Sequence, residues 1–338
     1  MTASNTLSRR KFLKIMAVGG ALSGLGYWAN RAANQAHSVH RTDLLMGMVV
    51  NLTLMGDESA QAEAAADATL AEMRRLADLF TRFDPASPVS QLNKGDIIGY
   101  PSPELRTLLK DAQTLHAVSN GAFDVTVKPL LDLYQSTEAR DGSLPSQAAV
   151  ERALDRVGAQ NLRITGDEIC FLKAGMGLTL DGIAKGAVID GGVSTLNAHG
   201  FPNVLVEAGG DLLASGGHSI QRPWKIALRA PRTDQAMPSL YVENRAVATS
   251  GDYLQAFTSD YSAHHIIDPR RGISPAELAS ATVIAPTAAL ADSLATTVMV
   301  VGSEAGIALL AHYPGCEAYL IDKQLRPILS PGMADYLA

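Results

Sequence analysis

Apolar residues recur along the chain at two periods, and the switches between them mark out its elements. Leu70, Met73, Leu76 and Phe80 follow at three- and four-residue intervals within an Ala-, Leu-, Glu- and Arg-rich stretch from Glu58 to Phe80, which predicts an amphipathic helix. Pro85 and Pro88 end that pattern. Leu105, Leu108, Leu109, Ala112 and Leu115 repeat it, with Ser102 as N-cap, Pro103 at the first helical position and Asn120-Gly121 as the stop. Ala187–Ala198 and Thr287–Val301 predict two more helices, closed by Gly200 and Gly302. Gln147–Val157 predicts a short helix, and Gln135–Pro145 a polar loop. Predicted strands are Met46–Leu54, Leu162–Ile164, Ile169–Leu172, Gly177–Leu180, Val204–Val206, Trp224–Arg229, Ala246–Ser250, Tyr261–Asp268 and Ala281–Ala285. A last helix precedes a strand around Ala318–Ile321. No repeat and no long linker interrupts the series. The expected fold is a compact α+β unit with mixed or antiparallel sheets and packed helices, in one body or two lobes, over residues 40–338.

Composition sharpens this picture. Of 338 residues 47% are hydrophobic but only 5% aromatic, so the core is expected to be built from Ala, Val, Leu and Ile with closely approaching backbones. The net charge is −6, and no basic block lies beyond the first residues, so a nucleic-acid partner has no electrostatic footprint. Those first residues, Ser8-Arg9-Arg10-Lys11-Phe12-Leu13-Lys14, precede an apolar stretch from Ile15 to about Ala29. The stretch is short for a membrane span, and the pattern matches a twin-arginine export signal over residues 1–36. The expected location is periplasmic or otherwise extracytoplasmic, at the inner membrane if the signal stays uncut. Cys170 and Cys316 either pair or remain as two buried thiols.

Several familiar sites are missing from the sequence: it has no phosphate-binding Gly-x-x-x-x-Gly-Lys-Ser/Thr loop and no His-Glu-x-x-His, and Gly175-Met176-Gly177 lacks the third glycine of a dinucleotide fingerprint. Four polar segments remain. On a strand, His264 and His265 would face opposite ways; either is a candidate general base or a satisfied structural histidine. Asp292 and Thr296, one helical turn apart, present two oxygens suited to Mg²⁺, unless Asp292 only complements its helix dipole. Thr179-Leu180-Asp181-Gly182 runs into Ile183-Ala184-Lys185-Gly186, a glycine turn where backbone can approach a pyrophosphate; Lys185 is a phosphate or flavin partner or a solvated lysine. Phe123 and Asp124 offer a stacking face and a carboxylate, or a core Phe beside an Asp-stabilised turn.

Taken together and in order, these segments resemble the ApbE family of FAD:protein FMN transferases. Met46-Gly47, Ser90-Gln91-Leu92-Asn93, Gly121-Ala122-Phe123-Asp124, Gly182-Ile183-Ala184-Lys185-Gly186 with Asp190, and Gly209-Gly210-Asp211 carry the resemblance. So do Pro223-Trp224, Ala248-Thr249-Ser250-Gly251-Asp252-Tyr253, His265-Ile266-Ile267-Asp268-Pro269 and Ala291-Asp292-Ser293-Leu294-Ala295-Thr296. The resemblance implies FAD contacts at Met46, Phe83, Ala122, Phe123, Asp124, Thr179, Lys185 and Ile267, a Mg²⁺ held by the Gly182 carbonyl with Asp292 and Thr296, and His265 as catalytic base. It implies that FAD is cleaved to AMP while FMN passes to a Thr or Ser hydroxyl of an acceptor flavoprotein, expected to be a membrane-associated electron-transfer subunit. An FAD pyrophosphatase and a non-catalytic FAD-binding assembly factor for an exported redox complex are the alternatives. One departure stands out. Where the family usually has Asp-Leu-Gly-Gly, this chain has Thr179-Leu180-Asp181-Gly182, so charge is lost at one position and gained two residues later.

Overall fold

The computed structural model describes residues 38–337, apart from 57–58, 96, 142, 220–221 and 234. The proposed export signal lies outside the described residues. The first strand predicted from sequence is the second arm of a hairpin. Strand β1 (Ser38–Leu45) pairs antiparallel with β2 (Met48–Met55), Leu45 opposite Met48. Met46 and Gly47 form the turn with φ of 52° and 72°, the positive pair that a two-residue hairpin with right-handed twist requires. Met46 is therefore a turn residue, not a strand residue.

The first helix, α1 (Ala60–Phe80), starts at Ser59, whose side chain accepts from Ala62 N–H. Pro88, expected only to stop α1, instead opens a short helix, α2 (Pro88–Asn93), in the first-turn position where a missing N–H costs nothing. Helix α3 (Pro103–Val118) has the expected Ser102 cap, and Asn120 and Gly121 leave it at positive φ. The expected loop from Gln135 is the second half of α4 (Lys128–Asp141). Leu130, Leu131 and Tyr134 in its first half pack with Val150 and Ala153 of α5 (Gln147–Leu154), and this anchored start carries a polar stretch whose local pattern gives no helix signal.

Two predicted strands are absent from the sheets. Residues 177–180 run extended, but Leu178 is held by a side chain: Asn93 Nδ2 donates to its carbonyl at 2.8 Å and Leu178 N–H donates back to Asn93 Oδ1 at 2.6 Å. Thr179 N–H donates to Val125 O at 2.8 Å. Residues 261–268 form bends with an isolated bridge between Ala256 and His264.

Among the described residues the strands form three antiparallel sheets. Strands β3 (Ile98–Gly99), β4 (Leu162–Ile164) and β5 (Glu168–Phe171) form a small one in the order β3-β5-β4. The main sheet adds β6 (Val204–Ala208), β7 (Asp211–Ser215), β10 (Arg245–Gly251), β11 (Leu278–Ala285), β12 (Glu317–Asp322) and β13 (Pro327–Leu329) in the order β1-β2-β6-β7-β10-β11-β12-β13. Strands β8 (Trp224–Ala227) and β9 (Ser239–Val242) pair separately.

Alternation along the strands sorts the main sheet into two faces. Val50, Leu52, Val204, Val206, Ala246, Ala248 and Val283 join the helix-covered core, while Leu212, Ala214, Val247 and Ile284 pack with Trp224, Leu240 and Val242 on the other side. Across the first face lie α1, α6 (Ala184–Ala198) and α7 (Ala288–Val301), followed by α8 (Ser303–Leu310). Small residues set their spacing, as composition predicts: a Cβ at Gly186 of α6 would run into the Ala288 carbonyl of α7. Cys170 and Cys316 are both buried free thiols. Among the described residues, no helix is long and apolar enough to cross a membrane.

Candidate active site

The site forms where the N-terminal ends of α6 and α7 meet one end of the main sheet. Asp190, two turns into α6, accepts from Ala288 N–H at 2.7 Å and Ala289 N–H at 2.9 Å, capping α7 from a neighbouring helix. Burial lifts its carboxyl to about 6 despite these donors. With α7 fixed in this way, Asp292 reaches back across the contact, and its Oδ2 accepts from Gly186 N–H at 3.2 Å. Burial pushes Asp292 up to about 7; Lys185 pulls it down, and the Asp211 charge works against that.

Lys185 is anchored by Asp211, the first residue of β7, at 2.7 Å. Burial opposes its charge, but Asp211 and then Asp292 more than offset this and raise it above the ordinary lysine value. Asp211 is itself set by Gly209-Gly210, a two-residue turn with φ of 59° and 101°, and its Oδ1 accepts from Thr249 N–H at 3.0 Å. One turn beyond Asp292, Thr296 Oγ1 shares a 3.1 Å hydrogen bond with Ser250 Oγ at the end of β10. Gly182 lies against the same oxygen: a Cβ there would come 3.2 Å from Thr296 Oγ1 and 3.5 Å from Phe123.

This donor set fits a hard, oxygen-preferring divalent cation. A buried carboxylate with a raised pKa gains most from a neighbouring positive charge, and glycine at 182 leaves open the approach that a side chain would narrow. Among the described residues there is no cluster of three or more His, Cys, Asp or Glu side chains that could hold a metal ion, so a cation here would lean on hydroxyl and backbone oxygens besides Asp292.

His265 N–H donates to Gln255 O at 2.9 Å, and its Nδ1 lies 3.3 Å from the same carbonyl. A ring nitrogen facing a carbonyl carries the proton, which leaves Nε2 as the lone pair able to accept one. Burial holds its pKa below the ordinary histidine value, with the Gln255 carbonyl, Asp181 and Lys185 as lesser influences, so the ring is neutral near pH 7. His264 is wholly buried and points its Nε2 at Pro275 O at 3.2 Å; desolvation lowers it to about 4. The structure thus gives the two neighbouring histidines different environments, although they lie at an isolated bridge and a bend and not on a strand.

The remaining candidate residues divide. Phe123 is buried beside Gly182, and Ala122 is core. Asp124 accepts from Thr126 N–H and Oγ1 on one oxygen, at 2.7 and 2.5 Å, and from Ala159 N–H on the other, at 2.9 Å. His116 Nδ1 lies 3.2 Å from that second oxygen. This is the Asp-stabilised turn, in a fully bonded form. Ile267 is buried with Leu130, Tyr134 and Val150, so its side chain faces a core and not an open cleft. Phe83, by contrast, is 72% exposed with the Arg82 guanidinium 4.3 Å above its ring. Thr179 is buried, and its hydroxyl accepts from Asp181 N–H at 3.2 Å; the displaced charge, Asp181, pairs with Arg82 at 2.9 Å. Met46 packs at the margin of the core. Asp211, Ser250 and His116 had no role in the sequence reading. The first two stood in recognisable segments, but only the strand pairing shows what they face.

A sheet-and-helix frame that sets a buried carboxylate, a helical hydroxyl and a lysine at one end of the sheet is suited to a protein that handles a phosphorylated ligand. The ApbE family model matches residues 46–320, and the chain belongs to the ApbE family. A Vibrio cholerae protein named FAD:protein FMN transferase is 31% identical over 286 residues, covering 81% of this chain and 84% of that protein. A Treponema pallidum protein of the same name is 29% identical over 336 residues, covering 93% and 92%. Among solved structures, the ApbE protein of Thermotoga maritima superposes with a TM-score of 0.81 at 28% identity, covering 89% of this chain and all of that one. The flavin transferase ApbE of Vibrio cholerae gives 0.78 with the same identity and coverage.

Proposed function

We propose that this chain is an FAD:protein FMN transferase that depends on Mg²⁺. The observation that carries the reading is the poorly solvated Asp292 carboxylate with Thr296 and Gly182 beside it, next to Lys185 and the neutral His265. Mg²⁺ held by Asp292, Thr296 and the Gly182 carbonyl would supply charge stabilisation at the pyrophosphate of FAD. Lys185, fixed by Asp211, adds a second positive charge and orients the phosphates. Phe83 offers an open face for stacking the flavin, while Phe123 and the turn around Asp124 form a rigid wall. His265 Nε2 takes the proton from an acceptor Ser or Thr hydroxyl. That oxygen bonds to the FMN phosphorus, the phosphoanhydride P–O bond breaks, and AMP leaves carrying the electron pair. The acceptor gains FMN less one water.

The Arg9-Arg10 segment supports export of the chain by the twin-arginine route and work outside the cytoplasm; the family resemblance suggests a membrane-associated electron-transfer subunit as acceptor. The test is mass spectrometry of an acceptor domain incubated with this protein, FAD and Mg²⁺, with and without chelator. A chelator-sensitive gain equal to FMN minus water, with AMP released, is the expected result. Free FMN and AMP with unmodified acceptor would replace the reading with a pyrophosphatase, and bound FAD that is never cleaved would replace it with an assembly factor.

A further inference from the structure

Ser250 ends the helix-facing row of β10, after Ala246 and Ala248, both buried against the helices. The two alanines let α7 lie close to the sheet; at the third position a hydroxyl appears, where the row becomes half-buried at the site. Its Oγ is 3.1 Å from Thr296 Oγ1. A helical threonine ordinarily has a nearer acceptor, the carbonyl four residues back. Thr69, Thr114, Thr195 and Thr297 use it, donating to Ala65, Lys110, Gly191 and Ser293 at 2.7 to 2.9 Å. Thr296 turns across to the strand instead.

We infer that Ser250 is a positioning residue for the cation site: it accepts the Thr296 proton and so aims the Thr296 lone pairs at the ion. This rests on the Mg²⁺-dependent reading above. The contact contains two hydroxyls, and the chemistry fixes its direction. An oxygen that gives its lone pairs to a cation must send its own hydrogen elsewhere, and the partner that Thr296 Oγ1 meets is Ser250 Oγ. The Thr296 lone pairs then face the open approach at Gly182. Neighbouring Thr249 cannot take its place, because its hydroxyl is bonded to Thr282 at 2.8 Å.

The test is a titration of the full chain with Mn²⁺ followed by electron paramagnetic resonance, without FAD or acceptor, on wild type, Ser250→Ala and Ser250→Thr. Ser250→Ala is expected to weaken Mn²⁺ binding about 10- to 100-fold, the usual effect of losing a partner behind a metal ligand, with an unchanged melting temperature in chelator. Ser250→Thr, which keeps the hydroxyl, is expected to restore most of the affinity. In turnover, Ser250→Ala should raise the Mg²⁺ requirement while saturating Mg²⁺ recovers most of kcat. Equal Mn²⁺ affinity in wild type and Ser250→Ala overturns the inference. So does a Ser250→Thr protein as weak as Ser250→Ala, since the loss would then follow packing and not the hydroxyl. A wild-type protein that binds no Mn²⁺ would remove the cation reading itself, and this inference with it.

Discussion

Asp124 and Asp292 are almost equally hidden, at 6% and 4% exposure, yet they sit in opposite kinds of surroundings. Asp124 closes the turn after α3 and accepts from Thr126 twice and from Ala159, with His116 beside it. Asp292 lies between α6 and α7, accepts from Gly186 N–H, and is driven by burial to about 7. A carboxylate supplied with donors has its charge settled by the fold and acts as a structural clamp. A carboxylate short of donors keeps an unmet electrostatic demand, which a cation can meet. Burial alone does not separate the two; the count and direction of donors do.

The sharpest way to break this contrast is Asp292→Asn. The amide keeps an oxygen for Gly186 N–H but gives up the charge. Transfer activity should fall at least ~1,000-fold, several kcal/mol of lost transition-state stabilisation, while the melting temperature in chelator stays level or rises. A large fall in melting temperature would show that Asp292 is a clamp like Asp124. Next comes His265→Ala, expected to reduce transfer by roughly 10²- to 10⁴-fold, as for loss of a general base, with FAD affinity little changed. If FAD binding, read by flavin fluorescence, vanished along with activity, His265 would be part of the binding wall and not the base.

Asp124→Asn should behave in the reverse sense. Its NH₂ would confront Ala159 N–H or the Thr126 donors, leaving buried groups unpaired at about 1–3 kcal/mol each. Thermal denaturation should show a drop of roughly 5–10 °C, with Mn²⁺ affinity nearly preserved in the folded fraction. An unchanged melting temperature would dissolve the clamp.

How much of this was legible beforehand follows the range of the interactions. The helices with regular apolar spacing, Ala60–Phe80 and Pro103–Val118, and the cap at Ser102 are local features, and the sequence pattern places them well. The second half of α4 escapes because its support is tertiary, through Leu130, Tyr134 and Val150. Residues 177–180 pass for a strand because the Asn93 side chain supplies the bonds a neighbouring strand would have made. In the site, Asp292 and Thr296 are visible as a one-turn pair. That Asp211 holds Lys185, or that Ser250 meets Thr296, depends on pairing β7 and β10 with elements far away in sequence. The chemistry-bearing residues are legible; their partners require the fold.

pH offers a gentler probe of the same contrast. Asp292 has a folded pKa near 7 against an ordinary value of 3.8, so in cation-free protein the native state holds a proton that the unfolded state has lost. Stability therefore falls as pH rises between about 4 and 7. His116, raised chiefly by its hydrogen bond to Asp124, contributes stability that is complete below about 6.5 and is lost as pH climbs through its elevated folded value. Urea denaturation in chelator from pH 5 to 8.5 should lose its lower slope in Asp292→Asn and its upper slope in His116→Gln. A single variant that erased both slopes would mean that the two carboxylates are coupled and not separate cases.

The smallest effect belongs to Asp181, the charge displaced by the Thr179 departure. Its carboxylate is 48% exposed and pairs with Arg82, itself 9% exposed, at 2.9 Å. Solvent screens such a pair, so Asp181→Asn should cost about 0.5 kcal/mol, and less at high salt. The turn should survive, because Thr179 Oγ1 accepts from the backbone N–H of residue 181 and does not touch the carboxylate. Arg82 also keeps its place over Phe83, so loss of the pair does not strand a guanidinium. The departure from Asp-Leu-Gly-Gly then reads as a division of labour, with the hydroxyl keeping the turn while the charge moves to the rim beside Phe83. A loss above about 2 kcal/mol in urea denaturation would contradict this and place Asp181 with Asp124, as a carboxylate on which its surroundings depend.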